Sequence, residues 1–272
     1  KLTVITNQSK EDELTIGFNL FGWDNCGTSV PLLLDVTTET EGATLVHHDT
    51  YSTTDACGNS IQVVHQRSNI GVSVRVKALL NGAMLNSTGN LMRDDLRQLD
   101  LLPLEEPYSK LPGFQHTNTG DAETTSFERF AVTGNSAIVD WVLVELFDPV
   151  EDSVVANVAA LLQRDGNVVS ASGDSVIVVR GLSADFYKVG IRHRNHLGLL
   201  TGDDYFMSEL NPPLIDFTSG EVAVEGNSSA FIMGNGKRVM WAGDFNSDGK
   251  VIYQGPANDI FFLFLKVVAD PT

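Results

Sequence analysis

Apolar and polar residues alternate in short runs along much of this chain. Leu14-Thr15-Ile16-Gly17-Phe18-Asn19-Leu20 is one such run. Ile61-Gln62-Val63-Val64-His65 and Gly71-Val72-Ser73-Val74-Arg75-Val76-Lys77 are others, the last nearly perfect. A period of two puts successive side chains on opposite faces of a pleated strand, so these runs predict half-buried β-strands. Residues 1–77 therefore read as an N-terminal Ig-like β-sandwich.

The pattern changes over 78–125, which reads as a helix and long-loop connector. Asn90 is placed to cap a short helix with Asp94 and Asp95 in its first turn, where the helix dipole favours anions. Met92, Leu96 and Leu99 would share one face of it, and Pro103 and Pro107 would stop regular structure. Tyr108 to Thr125 is rich in Gly, Thr, Asn and Ser, the composition of a loop.

Strand signals resume over 126–205, which reads as a second β-sandwich. Ala137 to Leu146 is largely apolar at both odd and even positions, with Glu145 and Asp140 the exceptions, as expected of a central strand covered on both faces. Val154 to Leu162, a turn at Asp165-Gly166, Val176 to Val179 and Phe186 to His193 follow. Residues 206–272 form a C-terminal β region, with a break at Asn211-Pro212-Pro213 and a hairpin tip at Gly234-Asn235-Gly236-Lys237. The segment Ile260 to Val268 reads equally as a final helix, capped by Asn258-Asp259, or as a buried strand. The fold class expected is mostly β: tandem antiparallel sandwich modules of Ig-like or transthyretin-like form, a short helical segment and a C-terminal metal loop.

Charge narrows the function. Lys+Arg number 18 against Asp+Glu 35, a formal net charge of −17 over 272 residues. A nucleic-acid binder needs a basic face, and anionic lipid repels such a chain. No apolar run approaches the roughly 18 residues that a membrane span requires. The acidity does suit divalent cations.

The most informative stretch is Gly243-Asp244-Phe245-Asn246-Ser247-Asp248-Gly249-Lys250. Asp244, Asn246 and Asp248 stand at positions 1, 3 and 5 of a calcium loop, Gly249 at position 6, and Lys250 at position 7, where a backbone carbonyl is the ligand. Alternating hard oxygens wrap one cation, so the spacing has a physical cause. Position 12, normally a bidentate carboxylate, is Gly255; Asp259 substitutes if Tyr253 to Ala257 loops out. The competing reading is an Asp/Asn-rich turn without metal. Two cysteines, Cys26 and Cys57, sit in similar turn-like contexts. They read as one disulfide in an extracellular protein, or as two free thiols in a cytosolic one.

Catalytic chemistry finds little support, and no enzyme is expected. Arg192-His193-Arg194-Asn195-His196 is the densest polar cluster. On a strand, His193 and Asn195 would face one way, with Arg192, Arg194 and His196 the other. A hydrolase built on His193 and His196 competes there with plain buried hydrogen bonding. His47-His48, adjacent on a strand, would point apart. Glu105-Glu106 and Asp203-Asp204 are carboxylate pairs of the kind glycosidases use, but adjacency is common in so acidic a chain. Trp23, Tyr51, Tyr108 and Tyr205, in or near loops, are candidates for stacking on sugars.

Several long motifs occur here in a fixed order: Met92-Arg93-Asp94-Asp95-Leu96, Leu101 to Tyr108, Val139 to Leu146, Ala160 to Gly166, Ile191 to Gly198 and Gly243 to Gly249. Over roughly residues 72–265 the chain resembles a region recurrent near the C-terminus of large secreted surface proteins of Bacteroidota, many exported by the type IX system and described as adhesin-like or hemagglutinin-like. The resemblance implies an extracellular, multi-module, non-enzymatic protein. It also implies a dockerin-like calcium element, with the metal role carried by Asp244, Asn246, Asp248 and Asp259. The expectation is an adhesive or structural surface protein, a subunit or module of a filament or appendage, that associates with itself or with other modules of its assembly. The alternative is a carbohydrate-binding module with a cell-surface glycan as ligand. The chain also reads as one piece of a longer polypeptide.

Overall fold

A computed structural model describes residues 21–23, 29–31, 33–41, 44–54, 60–69, 71–86, 89–111, 114–117, 122–226, 230–256 and 258–269. It divides into two compact units, residues 1–69 and 70–272. The first expected boundary, after residue 77, thus falls eight residues earlier, because strand 71–77 pairs entirely within the second unit.

In the first unit, β1 (Phe21–Trp23) pairs antiparallel with β2 (Ser29–Pro31). β3 (Leu33–Glu41), β4 (Thr44–Thr54) and β5 (Ser60–Asn69) form a three-stranded antiparallel meander. The run at 14–20 lies outside the described residues.

The second unit is built on β6 (Gly71–Lys77), β7 (Ile138–Asp148), β8 (Ser153–Gln163), β9 (Asn167–Val169), β10 (Ile177–Arg180), β11 (Asp185–His193), β12 (His196–Leu200), β13 (Tyr205–Met207) and β14 (Leu214–Asp216). The strand order is β10-β6-β9-β8-β7-β11-β12, with β13 on β11 and β14 on β6. All pairings are antiparallel except β14 on β6. A hairpin of β15 (Ala230–Ile232) and β16 (Arg238–Met240) follows, turning through Gly236 at φ +80°.

β7 is buried on both faces for its first nine residues, Asp140 and Glu145 included, as its largely apolar pattern predicts. Val142, Val144 and Leu146 face one core with Ala156, Ala160 and Leu162 of β8. Trp141 and Leu143 face a second core with Ala159 and Leu161. Fully burying one such side chain contributes about 1.5–3 kcal/mol, so this hairpin is the energetic centre of the unit.

The second core is closed by Leu102, Tyr108, Leu111 and Phe114. Part of the expected connector is therefore a cover over one sheet face. Tyr108 Oη donates to the carbonyl of Trp141 (3.0 Å), and Trp141 Nε1 donates to that of Pro103 (2.9 Å). These bonds tie the cover to the sheet at groups that burial would otherwise leave unpaired. The early helix is one turn, α1 (Asp95–Gln98), with Asp94 rather than Asn90 at its start. Met92 lies outside it, fully buried, while Leu99 is exposed. A second single turn, α2 (Phe127–Phe130), precedes β7. The C-terminal segment is a helix, α3 (Asp259–Ala269), and Asn258 Oδ1 caps it by accepting the Phe261 N–H (2.9 Å). Among the described residues no helix is long and apolar enough to cross a membrane.

Candidate functional site

Three polar constellations warrant comparison: the metal loop, the histidine pair and the carboxylates under the cover.

The metal loop leaves β16 through Trp241, whose carbonyl accepts the Leu197 N–H (2.8 Å); the Gly243 N–H then donates to Asn195 O (2.9 Å). Both ends of that contact are backbone, so the loop is fixed to the hairpin between β11 and β12. Inside the loop, the Asp248 N–H donates to Asp244 Oδ1 (3.1 Å) and Asn246 Oδ1 (3.0 Å), and the Lys250 N–H donates to Asp248 Oδ1 (3.0 Å). Gly249 turns at φ +76°, a conformation that costs other residues energy.

Asp259 returns to this loop from the first turn of α3. Its Oδ1 accepts the Phe245 N–H (2.8 Å), and its Oδ2 the Ile252 N–H (2.7 Å). The Asp259 N–H donates back to Ile252 O (2.9 Å), closing the chain between them into a loop. Asp244 and Asp259 are buried, Asn246 is half-buried, and Asp248 and Lys250 are exposed. Burial, and then the charges of Asp259 and Asp248, push the Asp244 carboxyl above the usual carboxylate range, against the bonds from Gly249 and Asp248. Among the described residues no Lys, Arg or His forms an ion pair with Asp244, Asp248 or Asp259. Three carboxylates with no cationic partner are the donor set that a hard divalent cation fits. In this form they are turned onto backbone N–H groups, and among the described residues no three His, Cys, Asp or Glu side chains converge as a ready-made metal pocket.

The histidine pair is arranged differently from its expected strand alternation. β11 ends at His193 and β12 starts at His196, so the two residues face each other across a hairpin. Their rings meet edge to face at 4.8 Å. The Gly82 N–H donates to His196 Nε2 (3.2 Å), which assigns the ring proton to Nδ1. That proton lies 3.0 Å from His193 Nδ1 and 2.7 Å from Asn195 Oδ1, measured nitrogen to acceptor. His193 Nε2–H in turn donates to Asp140 Oδ2 (3.1 Å). Burial works against ionising Asp140, but hydrogen bonding from His193 and the bond and charge of Arg194 hold its carboxyl below the usual range. Burial first, then the neighbouring His193, push His196 down to about 3, against the pull of Asp140. The chain Asp140–His193–His196–Gly82 uses all four imidazole nitrogens. It lies beside a half-open cavity of about 330 Å³ lined also by Leu80, Leu96, Val139, Ala242 and Phe245. Every ring nitrogen is committed to a neighbour, which leaves none directed at a substrate.

Under the cover, Glu105 and Glu106 diverge. Glu105 is exposed and reaches Lys110 (3.6 Å), whereas Glu106 is fully buried and accepts the Tyr108 and Ser109 N–H groups (2.5 and 3.2 Å). His116 Nε2 also contacts Glu106 (3.1 Å). That grouping was invisible in sequence, because Glu106 and His116 are brought together only by the cover's path. Tyr108 is buried, so it cannot stack on a sugar, and Tyr205 is half-buried on β13. Trp23 is the last residue of β1, and Tyr51 lies within β4. His47 and His48 are neighbours on β4. Cys26 and Cys57 lie outside the described residues.

Comparison with family models, with curated proteins and with solved structures finds no match to this chain.

Proposed function

We propose that this chain is a calcium-stabilised structural or adhesive module of an extracellular surface protein, built of β-sandwich units and without catalytic activity. The observation that carries the reading is Asp259, which returns to a loop already holding Asp244 and Asp248 and adds a third carboxylate with no cationic partner among the described residues. Bound calcium would supply the missing positive charge, with Asp244, Asn246, Asp248, Asp259 and the Lys250 carbonyl as its ligands. These residues join β16 to α3, so ion binding would stiffen the C-terminal part against the β11–β12 hairpin. The surface role is supported by the ordered motif resemblance and by the acidity. The committed imidazole nitrogens of His193 and His196 favour a structural over a hydrolytic reading of that pair.

The test is calorimetric titration with calcium alone, alongside thermal melts in calcium and in chelator. Extracellular modules hold calcium with dissociation constants of about 10⁻⁴–10⁻³ M, so heat and a rise in melting temperature are expected in the millimolar range. Asp244→Asn and Asp259→Asn should each remove both signals. A wild-type protein that shows neither heat nor a shift at saturating calcium overturns the reading.

A further inference from the structure

The half-open cavity beside the histidine chain has no role in the proposed metal site, although Phe245 of the metal loop forms part of its wall. Its volume of about 330 Å³ lies at the small end of the range for small-molecule sites, about 300–1,000 Å³. Most of the wall is apolar: Leu80, Ala83, Leu96, Val139, Ala242 and Phe245. These residues come from the turn after β6, from α1, from β7 and from the segment after β16. Four separate parts of one unit therefore fix the shape.

The polar groups around this cavity fall into two classes. The Asp140, His193 and His196 side chains are saturated by one another, by Arg194 and by backbone N–H groups. Three other side chains are not. Asn195 is engaged through Oδ1, and among the described residues its Nδ2 amide has no acceptor. Asp95 has one side-chain partner, Arg93 Nη1 at 3.3 Å, longer than the roughly 2.7–2.9 Å of a tight charge-assisted bond. Arg93 Nη2 is held by the Gly82 carbonyl (3.1 Å), while its Nε has no partner among the described residues. The Arg93 and Asp95 side chains are 49% and 55% exposed. The cavity thus presents two loosely held opposite charges and a free amide donor around an apolar interior.

We propose that this cavity binds a free α-amino acid with an aliphatic side chain, such as leucine, in its zwitterionic form. The ligand carboxylate takes the Arg93 guanidinium and the Asn195 amide. Its ammonium takes Asp95, and its side chain fills the apolar interior. The pair of opposite charges separates this ligand from its neighbours in chemistry. A peptide C-terminus answers Arg93 but sets a neutral amide against Asp95, and a peptide N-terminus does the reverse. A plain hydrocarbon answers neither. A monosaccharide would press hydroxyls against Leu80, Leu96 and Val139, and each polar group buried without a partner costs free energy. Both imidazoles are committed elsewhere, so the site recognises its ligand without turning it over. This inference goes beyond the structural reading above and does not rest on the metal.

The test is NMR titration of the isotope-labelled full chain with L-leucine, in calcium and in chelator. Isocaproate (no ammonium), isopentylamine (no carboxylate), glycine and glucose are titrated in parallel. Leucine should bind in the millimolar range or tighter and shift the Asn195 side-chain amide signals. Glycine and glucose should not. Arg93→Gln and Asp95→Asn should each weaken leucine roughly tenfold or more, the loss expected for a hydrogen bond to a charge. The same variants should sort the analogues. Asp95→Asn should leave isocaproate no weaker, and Arg93→Gln should leave isopentylamine no weaker, whereas a merely structural role would weaken all three ligands alike. Leu96→Trp, which narrows the cavity from its exposed edge, should abolish binding; if it folds poorly, the two charge variants carry the test. Leucine binding in chelator as well as in calcium supports the site even if titration detects no calcium. A wild-type protein that binds calcium but shows no shift with tens of millimolar leucine overturns it and leaves the metal reading intact. Glucose binding without leucine binding overturns it in favour of a sugar.

Discussion

Replacing His196 by Gln tests the histidine chain most directly. His196 is 7% exposed and its Nε2 accepts the Gly82 N–H. Protonating Nε2 would set one N–H against another inside the protein. The folded protein therefore resists the proton until about pH 3, while the unfolded chain takes it up near 6.5. A folded value below the unfolded one stabilises the fold above pH 6.5, and that stabilisation drains away as pH falls towards 3. Each pH unit in this window removes about 1.4 kcal/mol, so roughly 2.7 kcal/mol is lost between pH 6 and 4. That is a large share of a typical stability of about 5–15 kcal/mol. Glutamine keeps an acceptor for the Gly82 N–H and cannot titrate. Urea unfolding at half-unit steps from pH 7 to 4, in chelator, should show the wild type losing stability about 1.4 kcal/mol per pH unit more steeply than His196→Gln. Whatever the variant's offset at pH 7, parallel slopes would refute the assigned tautomers and the buried neutral ring.

Two further outcomes follow from packing. Trp141→Ala should cost about 3–5 kcal/mol in urea unfolding, because it empties the second core and orphans the Pro103 carbonyl. Gly166→Ala should destabilise by more than about 1 kcal/mol, whereas the same change at an ordinary φ stabilises by about 0.4–1 kcal/mol. Its new Cβ would sit 2.9 Å from the Ala78 carbonyl oxygen at φ +88°, and the readout is a lowered melting temperature.

Elements set by local period were legible in the sequence. β6, β7, β8 and β11 fall close to their expected limits because alternation or continuous apolarity is a local property. The approach of Asp259 to Asp244 was also within reach, since a loop missing its twelfth ligand directs attention to the next carboxylate. What could not be read was chain path. The segment 101–114 is polar and irregular, yet Leu102, Tyr108 and Phe114 find the Trp141 face. Pairing of His193 with His196 depends on β11 ending at His193 and the chain turning through Arg194-Asn195, where alternation alone runs the strand on through His196. Asp94 displaced Asn90 at the start of α1 because Arg97 and Gln98 both bond its carboxylate (2.6–2.9 Å).

The parallel strand β14 has a bearing on biosynthesis. β6 emerges early, yet its neighbours come much later: Arg75 reaches the Pro212 carbonyl across 137 positions of chain. Until that part has been made, β6 has open edges with a run of valines between them, a shape that favours mispairing between nascent chains. Non-local pairing of this kind also slows folding. This sheet cannot be completed until the chain has been made as far as Asp216, so folding of the unit should follow synthesis rather than accompany it.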